Sequence, residues 1–442
     1  MKVFIILLLL LLNFNALSVE NLVFHTNEPI YVIGDIHGDL VRAQNLLRGL
    51  SLIDQNNRWT GGRSVLVQTG DRIDRWHQDY ETLNFFNELV KEAKEVGGEV
   101  FNLVGNHELR NSIGKFLRHA TSESYRPYKI FNHLYETLPQ NCKDNYEKEK
   151  QKHINSVNPD YIDMVKKDIQ EKEEAGLFGR VVAFCPGGYH AKNLAKDYGV
   201  LIVNDIVFVH GSLEKAYSNL GRNGLAMLNL EIQRWFKGES LDLKIIDDDK
   251  APFDSRYFAE DFTDNKCADL TDVLLDVGAK KMVIGHTIQS EGITSFCENK
   301  LFRIDVGMSR GFSFKIPKQL QALKIVDNKV EVISVDDEFR GQDLILESME
   351  LINQSTFSCE NYIPSNLPYN RCSKEIAIKI FKSFLDDSIF YSTFLAEKID
   401  DLFHINPLEN SCLFQIKNRY ILYSHFSYIP LGQEQNICKL SL

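Results

Sequence analysis

The sequence predicts an α/β fold, on two observations. Between about residues 27 and 337, short apolar runs with the pattern of β-strands alternate with longer amphipathic runs with the pattern of helices. Glycine follows several of the strand-like runs, so the polar residues beside these glycines are expected to gather at one edge of a sheet. The chain has 442 residues, 44% hydrophobic and 25% charged, which is an ordinary globular composition.

Six strand-like runs carry most of the predicted core. They occupy residues 30–33, 64–68, 99–104, 206–209, 281–284 and 301–304. Helical patterns lie between them, for example over residues 40–50 and 80–96. Residues 323–334 have the pattern of a β-hairpin that turns at Val326-Asp327-Asn328-Lys329 and closes the core. The charge-rich stretch at about 142–175 predicts a solvated helical insertion rather than a partner-binding arm.

The first residues have the pattern of a secretory signal peptide. Lys2 is followed by an apolar run over residues 3–12 and by the small-residue segment Ala16-Leu17-Ser18. A buried N-terminal strand is the weaker alternative. We therefore expect a signal peptide at 1–18, a catalytic domain at 19–340 and an extension of open role at 341–442. No other stretch is long enough to span a membrane, so a secreted or lumenal protein is expected.

Eight cysteines follow the predicted signal peptide, an even number in a chain expected in an oxidising compartment. None forms a CxxC pair, so a thiolate zinc site is not expected. Four of them lie in the extension, and we expect these to form disulfides there: Cys359, Cys372, Cys412 and Cys438.

The net charge of -11 argues against a nucleic-acid partner, which would require a basic surface. It does not exclude a small anionic substrate, because bound metal cations can dominate the local field of a site.

Five short segments place Asp, Asn and His residues directly after strand-like runs. They are Gly34-Asp35-Ile36-His37-Gly38, Gly70-Asp71-Arg72-Ile73-Asp74-Arg75, Gly105-Asn106-His107-Glu108, Val209-His210-Gly211 and Gly285-His286-Thr287. An extended chain would place Asp35 and His37 on the same side, so that both could bind one ion. Asp71 could bridge two ions, which suits water-driven cleavage of phosphate esters. Nitrogen and oxygen donors without thiolate suit manganese, with iron and zinc as alternatives.

Other residues in these segments suggest the remaining chemistry. His107 adjoins the candidate ligand Asn106 and could act as a general acid, and Asp74 could fix its tautomer. Arg75 could hold phosphate oxygens with a bidentate guanidinium. Glu108 could brace the turn.

These segments resemble the motifs of the metallo-dependent phosphatase superfamily, and more closely those of the phosphoprotein phosphatases. Pro186-Gly187-Gly188 and the stretch from Arg303 to Ser309 are most similar to the Shewanella-like protein phosphatases. The resemblance covers about residues 29–334. It implies a metallophosphatase-type β-sandwich flanked by helices, with a cysteine-containing C-terminal extension outside the resemblance.

The resemblance also implies roles for the site residues. Two divalent metal ions would be bound, the first by Asp35, His37 and Asp71. The ligands of the second would be Asp71, Asn106, His210 and His286. A metal-bridging hydroxide would attack phosphorus, His107 with Asp74 would protonate the leaving group, and Arg75 and Asn106 would bind the phosphate. The resemblance further implies a second phosphate-binding arginine upstream of the last motif, for which Arg256 is the candidate.

Two positions depart from the family pattern. A glycine is replaced by Trp76, whose ring could narrow the cleft, stack on an aryl phosphate or only pack, and which puts the position of Arg75 in question. Ser212 replaces a second glycine.

The sequence therefore favours a phosphoprotein phosphatase for phosphoserine and phosphothreonine, with phosphotyrosine also considered. A small-molecule or nucleotide phosphohydrolase is the alternative, because the catalytic residues contact only the phosphoryl group. A catalytically silent binding protein on the same scaffold is the third hypothesis.

Overall fold

The computed structural model describes residues 22–240, 243–260, 263–312, 319–336, 391–396, 411–416 and 419–425. The chain divides into two compact units. The first contains most of the described residues up to position 336. The second contains the segments 157–162 and 310–312 and the described strands beyond position 390. The predicted signal peptide lies outside the described residues.

Two β-sheets form the centre of the first unit. One sheet has six strands, in the spatial order β1 (Val23–Phe24), β5 (Val200–Val203), β6 (Ile206–Val209), β7 (Lys281–Ile284), β9 (Leu301–Arg303) and β8 (Thr294–Phe296). The other has five, in the order β11 (Lys329–Asp336), β10 (Gln319–Val326), β2 (Ile30–Ile33), β3 (Val65–Gln68) and β4 (Glu99–Asn102).

The two sheets bury one apolar layer between them. Val32 and Val67 from the five-stranded sheet belong to the same buried cluster as Phe208 and Val283 from the six-stranded sheet. Strands β2, β3 and β4 are parallel, as are β6 and β7, so each set presents its carboxyl ends at one edge. The first unit is therefore a β-sandwich, as the resemblance implied.

Helices cover the outer faces of this sandwich. Helices α1 (Leu40–Gly49) and α2 (Asp79–Glu95) contribute to the apolar cluster outside the five-stranded sheet. The six-stranded sheet is covered by α10 (Gly221–Lys237) and α11 (Asp264–Val277), among others. Both end at a glycine in the left-handed conformation, Gly238 and Gly278, which terminates the helix without strain.

Seven further α-helices lie between β4 and α10. They are α3 (Asn106–Ser112), α4 (Ser122–Tyr125), α5 (Gln140–Asn155), α6 (Ile162–Lys172), α7 (Phe178–Phe184), α8 (Tyr189–Leu194) and α9 (Lys215–Ser218). Helices α5 and α6 occupy the charge-rich stretch that was predicted to be a helical insertion. Within it, Tyr146 is buried in an aromatic cluster with Phe116 and Tyr125.

The predicted elements match the structure closely in the core. Each of the six predicted strands is present, with ends that differ by at most two residues. The hairpin is also present, and Val326 pairs with Lys329 across a two-residue turn. Asp327 and Asn328 in this turn have φ angles of 49° and 63°, which Asp and Asn tolerate better than most residues.

Two disulfides link cysteines of the first unit, Cys142 to Cys185 and Cys267 to Cys297. The predicted disulfides of the extension remain a prediction, because Cys359, Cys372 and Cys438 lie outside the described residues and the side chain of Cys412 is not described. The described part of the extension is a three-stranded antiparallel sheet of β12 (Tyr391–Ala396), β14 (Arg419–His425) and β13 (Ser411–Ile416). Among the described residues, no helix is both long and apolar enough to cross a membrane.

Candidate dinuclear metal centre

The site forms where the carboxyl ends of five strands meet. Asp35, Asp71 and Asn106 follow β2, β3 and β4, and His210 and His286 follow β6 and β7. Left-handed backbone is concentrated here, with φ angles between 48° and 72° at His37, Asp71, Asp74, Arg75 and His286. Such a conformation costs about 1–3 kcal/mol per residue, so the surrounding structure must hold these turns in place.

The first group of donors comes together through a turn and not through an extended strand. His37 has a φ of 48°, so the expectation that an extended chain aligns it with Asp35 is wrong. The side chains nevertheless meet, with His37 Nε2 3.8 Å from Asp35 Oδ2 and 3.6 Å from Asp71 Oδ2. His37 Nδ1 lies 3.1 Å from the carbonyl oxygen of Ile73, which leaves Nε2 directed at the carboxylates.

The second group of donors surrounds the other side of Asp71. His210 Nε2 lies 3.3 Å from Asp71 Oδ2 and 3.1 Å from His286 Nδ1. His210 Nδ1 lies 2.9 Å from the carbonyl oxygen of Thr69, which orients the ring. Asp71 is shared by two buried clusters of donors, one with His37 and His107 and the other with His210 and His286, which is the position required of a bridging ligand.

The donor set has the composition of a cation site. The side-chain oxygen of Asn106 lies 3.0 Å from His210 Nε2, and the other atoms around it are Asp71 carboxylate oxygens and His286 Nδ1. Burial and the neighbouring Asp305 carboxylate raise the pKa of Asp35 well above its usual value. The lone pairs of these nitrogen and oxygen atoms therefore point into one buried space, which suits the binding of divalent cations.

His107 lies beside this centre and is held by Asp74. His107 Nδ1 is 2.6 Å from Asp74 Oδ2, and His107 Nε2 is 3.8 Å from Asp71 Oδ2. Asn111 Nδ2 donates to the same Asp74 oxygen at 3.0 Å. Burial alone would raise the pKa of Asp74, but Arg180 and His107 outweigh it and lower the pKa to about 2. Asp74 is therefore a permanent carboxylate acceptor for His107 Nδ1.

Arg180 on α7 was not found by sequence reasoning. Its Nη2 donates to Asp74 Oδ1 at 2.7 Å, and its Nη1 donates to Asp79 Oδ2 at 2.6 Å. Asp79 Oδ1 in turn accepts from the backbone N–H of Asp74 at 2.9 Å. All three side chains are fully buried. The available clue was a single arginine inside the apolar run Phe178–Phe184, where a buried charge needs a partner.

Glu108 braces two of the turns. Its Oε2 accepts from the N–H groups of Asp71 and Gly105, and its Oε1 accepts from the N–H of Arg72. A Cβ at Gly105 would collide with the Asp71 carboxylate, so only glycine fits at this position. The carboxylate of Glu108 thus ties the turn that carries Asp71 to the start of α3.

Comparison with known proteins agrees with this geometry. The sequence profile of the family described as Calcineurin-like phosphoesterase matches residues 28–290. The chain belongs to this family. Its relatives include Shewanella-like protein phosphatase 2 of Arabidopsis thaliana, at 33% identity over 70% of this chain and 78% of the relative. Shewanella-like protein phosphatase 1 of Plasmodium berghei is 29% identical over 70% of this chain and 74% of the relative. The predicted family resemblance is confirmed, and the chain is a metal-dependent phosphatase.

A solved structure is also similar. It is a cold-active protein-tyrosine phosphatase of a psychrophilic Shewanella species, with 22% identity and a TM-score of 0.48. The match covers 72% of this chain and 84% of that chain.

Two arginines of this phosphoesterase lie at the edge of the centre. Burial lowers the pKa of Arg75 to about 10, so Arg75 keeps its charge at neutral pH. Arg256 is exposed and donates to Thr287 Oγ1 at 2.8 Å, next to His286. Arg75 interacts electrostatically with Asp74 and Asp71, and Arg256 bonds to the residue after His286, so both predicted phosphate-binding arginines lie near the centre.

The two departures from the family pattern are buried. The Trp76 side chain is only 8% exposed and lies against His77, so packing fits the structure better than stacking on a substrate. Ser212 Oγ accepts from the N–H of Phe258 at 3.0 Å.

Asp305 is a further residue whose place in the site the sequence did not reveal. It is buried near Asp35, and its Oδ1 accepts from the N–H of Gly307 at 2.8 Å. Burial raises its pKa to about 6. It adds a further carboxylate to the negative field around the centre.

Proposed function

We propose that this metal-dependent phosphatase acts on phosphorylated proteins, with phosphoserine and phosphothreonine as substrates and phosphotyrosine as a further candidate. One observation carries the catalytic part of the proposal: the Asp74–His107 pair lies directly beside the converged ligand set. The names of the two Shewanella-like relatives support a protein substrate.

The metal-binding roles follow from the grouping of donors. Asp35, His37 and Asp71 would hold one ion. The second would be held by Asp71, Asn106, His210 and His286. Divalent ions bound there would supply an activated water and neutralise phosphoryl oxygens. We propose manganese, with iron and zinc as alternatives, because the donors are nitrogen and oxygen only.

The chain's own residues supply the remaining chemistry. With Nδ1 bonded to Asp74, His107 presents Nε2 for proton donation to the leaving oxygen. Arg75 would bind phosphate oxygens from the buried side, and Arg256 from the exposed side. The charge of both guanidinium groups opposes the repulsion between the anionic substrate and the carboxylates of the centre.

Substrate comparison tests the proposed function. The purified, manganese-loaded enzyme is assayed with a phosphoserine peptide, a phosphotyrosine peptide, a nucleoside monophosphate and p-nitrophenyl phosphate. We expect kcat/KM for the phosphopeptides to exceed that for the nucleotide. A preference for the nucleotide would contradict the proposal and support a nucleotide phosphohydrolase. Absence of turnover with every substrate would support a silent binding protein.

We further propose that the protein enters the secretory pathway. The apolar run near the N-terminus and the two disulfides of the first unit support this. Expression in a eukaryotic host, followed by N-terminal sequencing of the secreted protein, tests it. Cleavage after Ser18 is expected, and retention of an intact N-terminus in the cytosol would contradict it.

A further inference from the structure

A basic cavity lies next to the catalytic centre. It has a volume of 170 Å³ and lies between the end of α3, the loop that follows it and α5. Its lining includes four cationic side chains, Arg110, Lys115, Arg118 and Lys152, and one acidic side chain, Glu149. This excess of cations contrasts with the net charge of -11 for the whole chain.

The cavity adjoins His107 through the side chain of His119. The ring of His119, which lines the cavity, packs edge-on against the ring of His107 with 5.1 Å between centroids. Arg110 Nη1 lies 2.7 Å from the side-chain amide of Asn106. The cavity is therefore separated from His107 by the ring of His119, and residues of a substrate next to the leaving oxygen that His107 would protonate could reach it.

The positive field of the cavity comes from its lysines and arginines. Burial, with the nearby charges of His107 and Arg75, lowers the pKa of His119 to about 3, so His119 is neutral. Arg110 is paired with Asp254 at 2.6 Å, whereas Arg118 donates to the neutral hydroxyl of Ser156 at 2.8 Å. Arg118 and Lys152 are exposed, so their charges are accessible to a ligand at the outer end.

We propose that this cavity is an anion-binding subsite for acidic or phosphorylated residues close to the scissile phosphate. The proposal rests on the proposed function, because it places the leaving group, a polypeptide, over the cavity. The exposed lysine and arginine bind anionic side chains, while His119 lies between the cavity and His107. The subsite would let the enzyme prefer some phosphorylated proteins over others. The metal ligands cannot provide this preference, because they contact only the phosphoryl group.

The experiment compares matched phosphopeptides on the metal-loaded enzyme. All carry the same phosphorylated residue, flanked on one side or the other by Gln pairs, Asp pairs or a non-hydrolysable phosphonate residue. We expect KM for the Asp and phosphonate peptides to be about three- to tenfold lower than for the Gln peptides, and the difference to shrink at 0.5 M salt. The Asp and phosphonate peptides distinguish carboxylate from phosphate as the preferred anion.

Reversing the charge of two cavity residues tests whether the cavity causes the preference for anionic peptides. The double variant Arg118→Glu and Lys152→Glu should abolish or reverse the preference while kcat with the Gln peptides stays within about twofold of wild type. The matched control is Lys329→Glu. Lys329 is an exposed lysine at the hairpin turn, at the end of the five-stranded sheet opposite to the metal centre. This variant should leave the preference intact.

Failure of the subsite and failure of the proposed function give different results. Equal KM for all peptides, or a preference that survives the double variant, would overturn the subsite. Turnover of p-nitrophenyl phosphate without turnover of any peptide would contradict the proposed function instead.

Discussion

Arg180 Nη2 donates to Asp74 Oδ1 at 2.7 Å, while the second oxygen of the same carboxylate lies 2.6 Å from His107 Nδ1. The carboxylate is thus fixed from one side by an arginine of α7 and fixes the proposed proton donor on the other. Arg180 also packs against aromatic rings, including Phe116 and Phe184. Arg180, which lies between the third and fourth ligand segments, therefore helps to position the proposed catalytic histidine.

We predict that the loss of kcat in Arg180 variants depends on whether the leaving group of the substrate needs a proton. Arg180→Lys keeps the charge but cannot bridge two carboxylates in the same way. With phenyl phosphate, whose leaving oxygen needs a proton, kcat should fall about 10- to 100-fold. With 2,4-dinitrophenyl phosphate, which leaves without protonation, it should change only a few-fold. Steady-state kinetics at constant metal loading measures both.

An equal loss of kcat with both substrates would contradict this prediction and would make Arg180 a purely structural residue. Breaking a buried ion pair costs about 3–5 kcal/mol, so thermal unfolding must confirm that the variant is folded at the assay temperature. Arg63→Lys, at an exposed arginine paired with Glu28 before β3, is the matched control and should change kcat with neither substrate.

We predict that His107→Asn removes the proposed proton donation to the leaving group itself. A general acid contributes about 10²–10⁴-fold, so kcat for phenyl phosphate and phosphopeptides should fall by that factor. Metal content by plasma mass spectrometry should stay at the wild-type value, because His107 is not among the assigned ligands. Loss of one metal ion per chain would instead show that His107 is a ligand.

Asp79 predicts a pH dependence of stability. Burial raises its pKa to about 7, although Arg180 opposes the shift, against an ordinary value of about 3.9 in the unfolded chain. The folded state therefore binds the proton more tightly, so this contribution to stability is present below about pH 4 and is lost as pH rises to about 7. Other buried acids such as Asp305 act in the same direction.

The variant Asp79→Asn isolates this contribution. Urea unfolding of both proteins from pH 4 to pH 8 should show the stability of wild type falling relative to that of the variant as pH rises. A constant difference across this range would show that Asp79 stays ionised throughout.

The two disulfides of the first unit should differ in their effect on catalysis. Cys185 directly follows α7, which carries Arg180, whereas Cys267 lies on α11. Replacing either pair by serine should lower stability by about 2–4 kcal/mol. We expect the Cys142/Cys185 variant alone to lose kcat preferentially with phenyl phosphate. Equal kinetics for the two variants would show that the Cys142–Cys185 bridge does not position Arg180.

The sequence predicts the core strands and the candidate ligands because both depend on local patterns. Asp35, Asp71 and His210 each follow an apolar run within a few residues, so the end of a strand locates them. Arg180 could not be assigned to Asp74, 106 positions away, because nothing local specifies a partner at that separation. The prediction for His37 failed for a related reason, since its left-handed turn depends on contacts with the turn after β3.

We propose that donors from five strand ends hold two divalent cations that catalysis requires. Plasma mass spectrometry of the manganese-loaded protein, coupled to activity during stepwise chelation, tests it most directly. We predict about two ions per chain, loss of phosphatase activity as they are removed, recovery with manganese, and at most one ion in Asp71→Asn. Full activity in protein stripped of metal would contradict a metal-dependent mechanism.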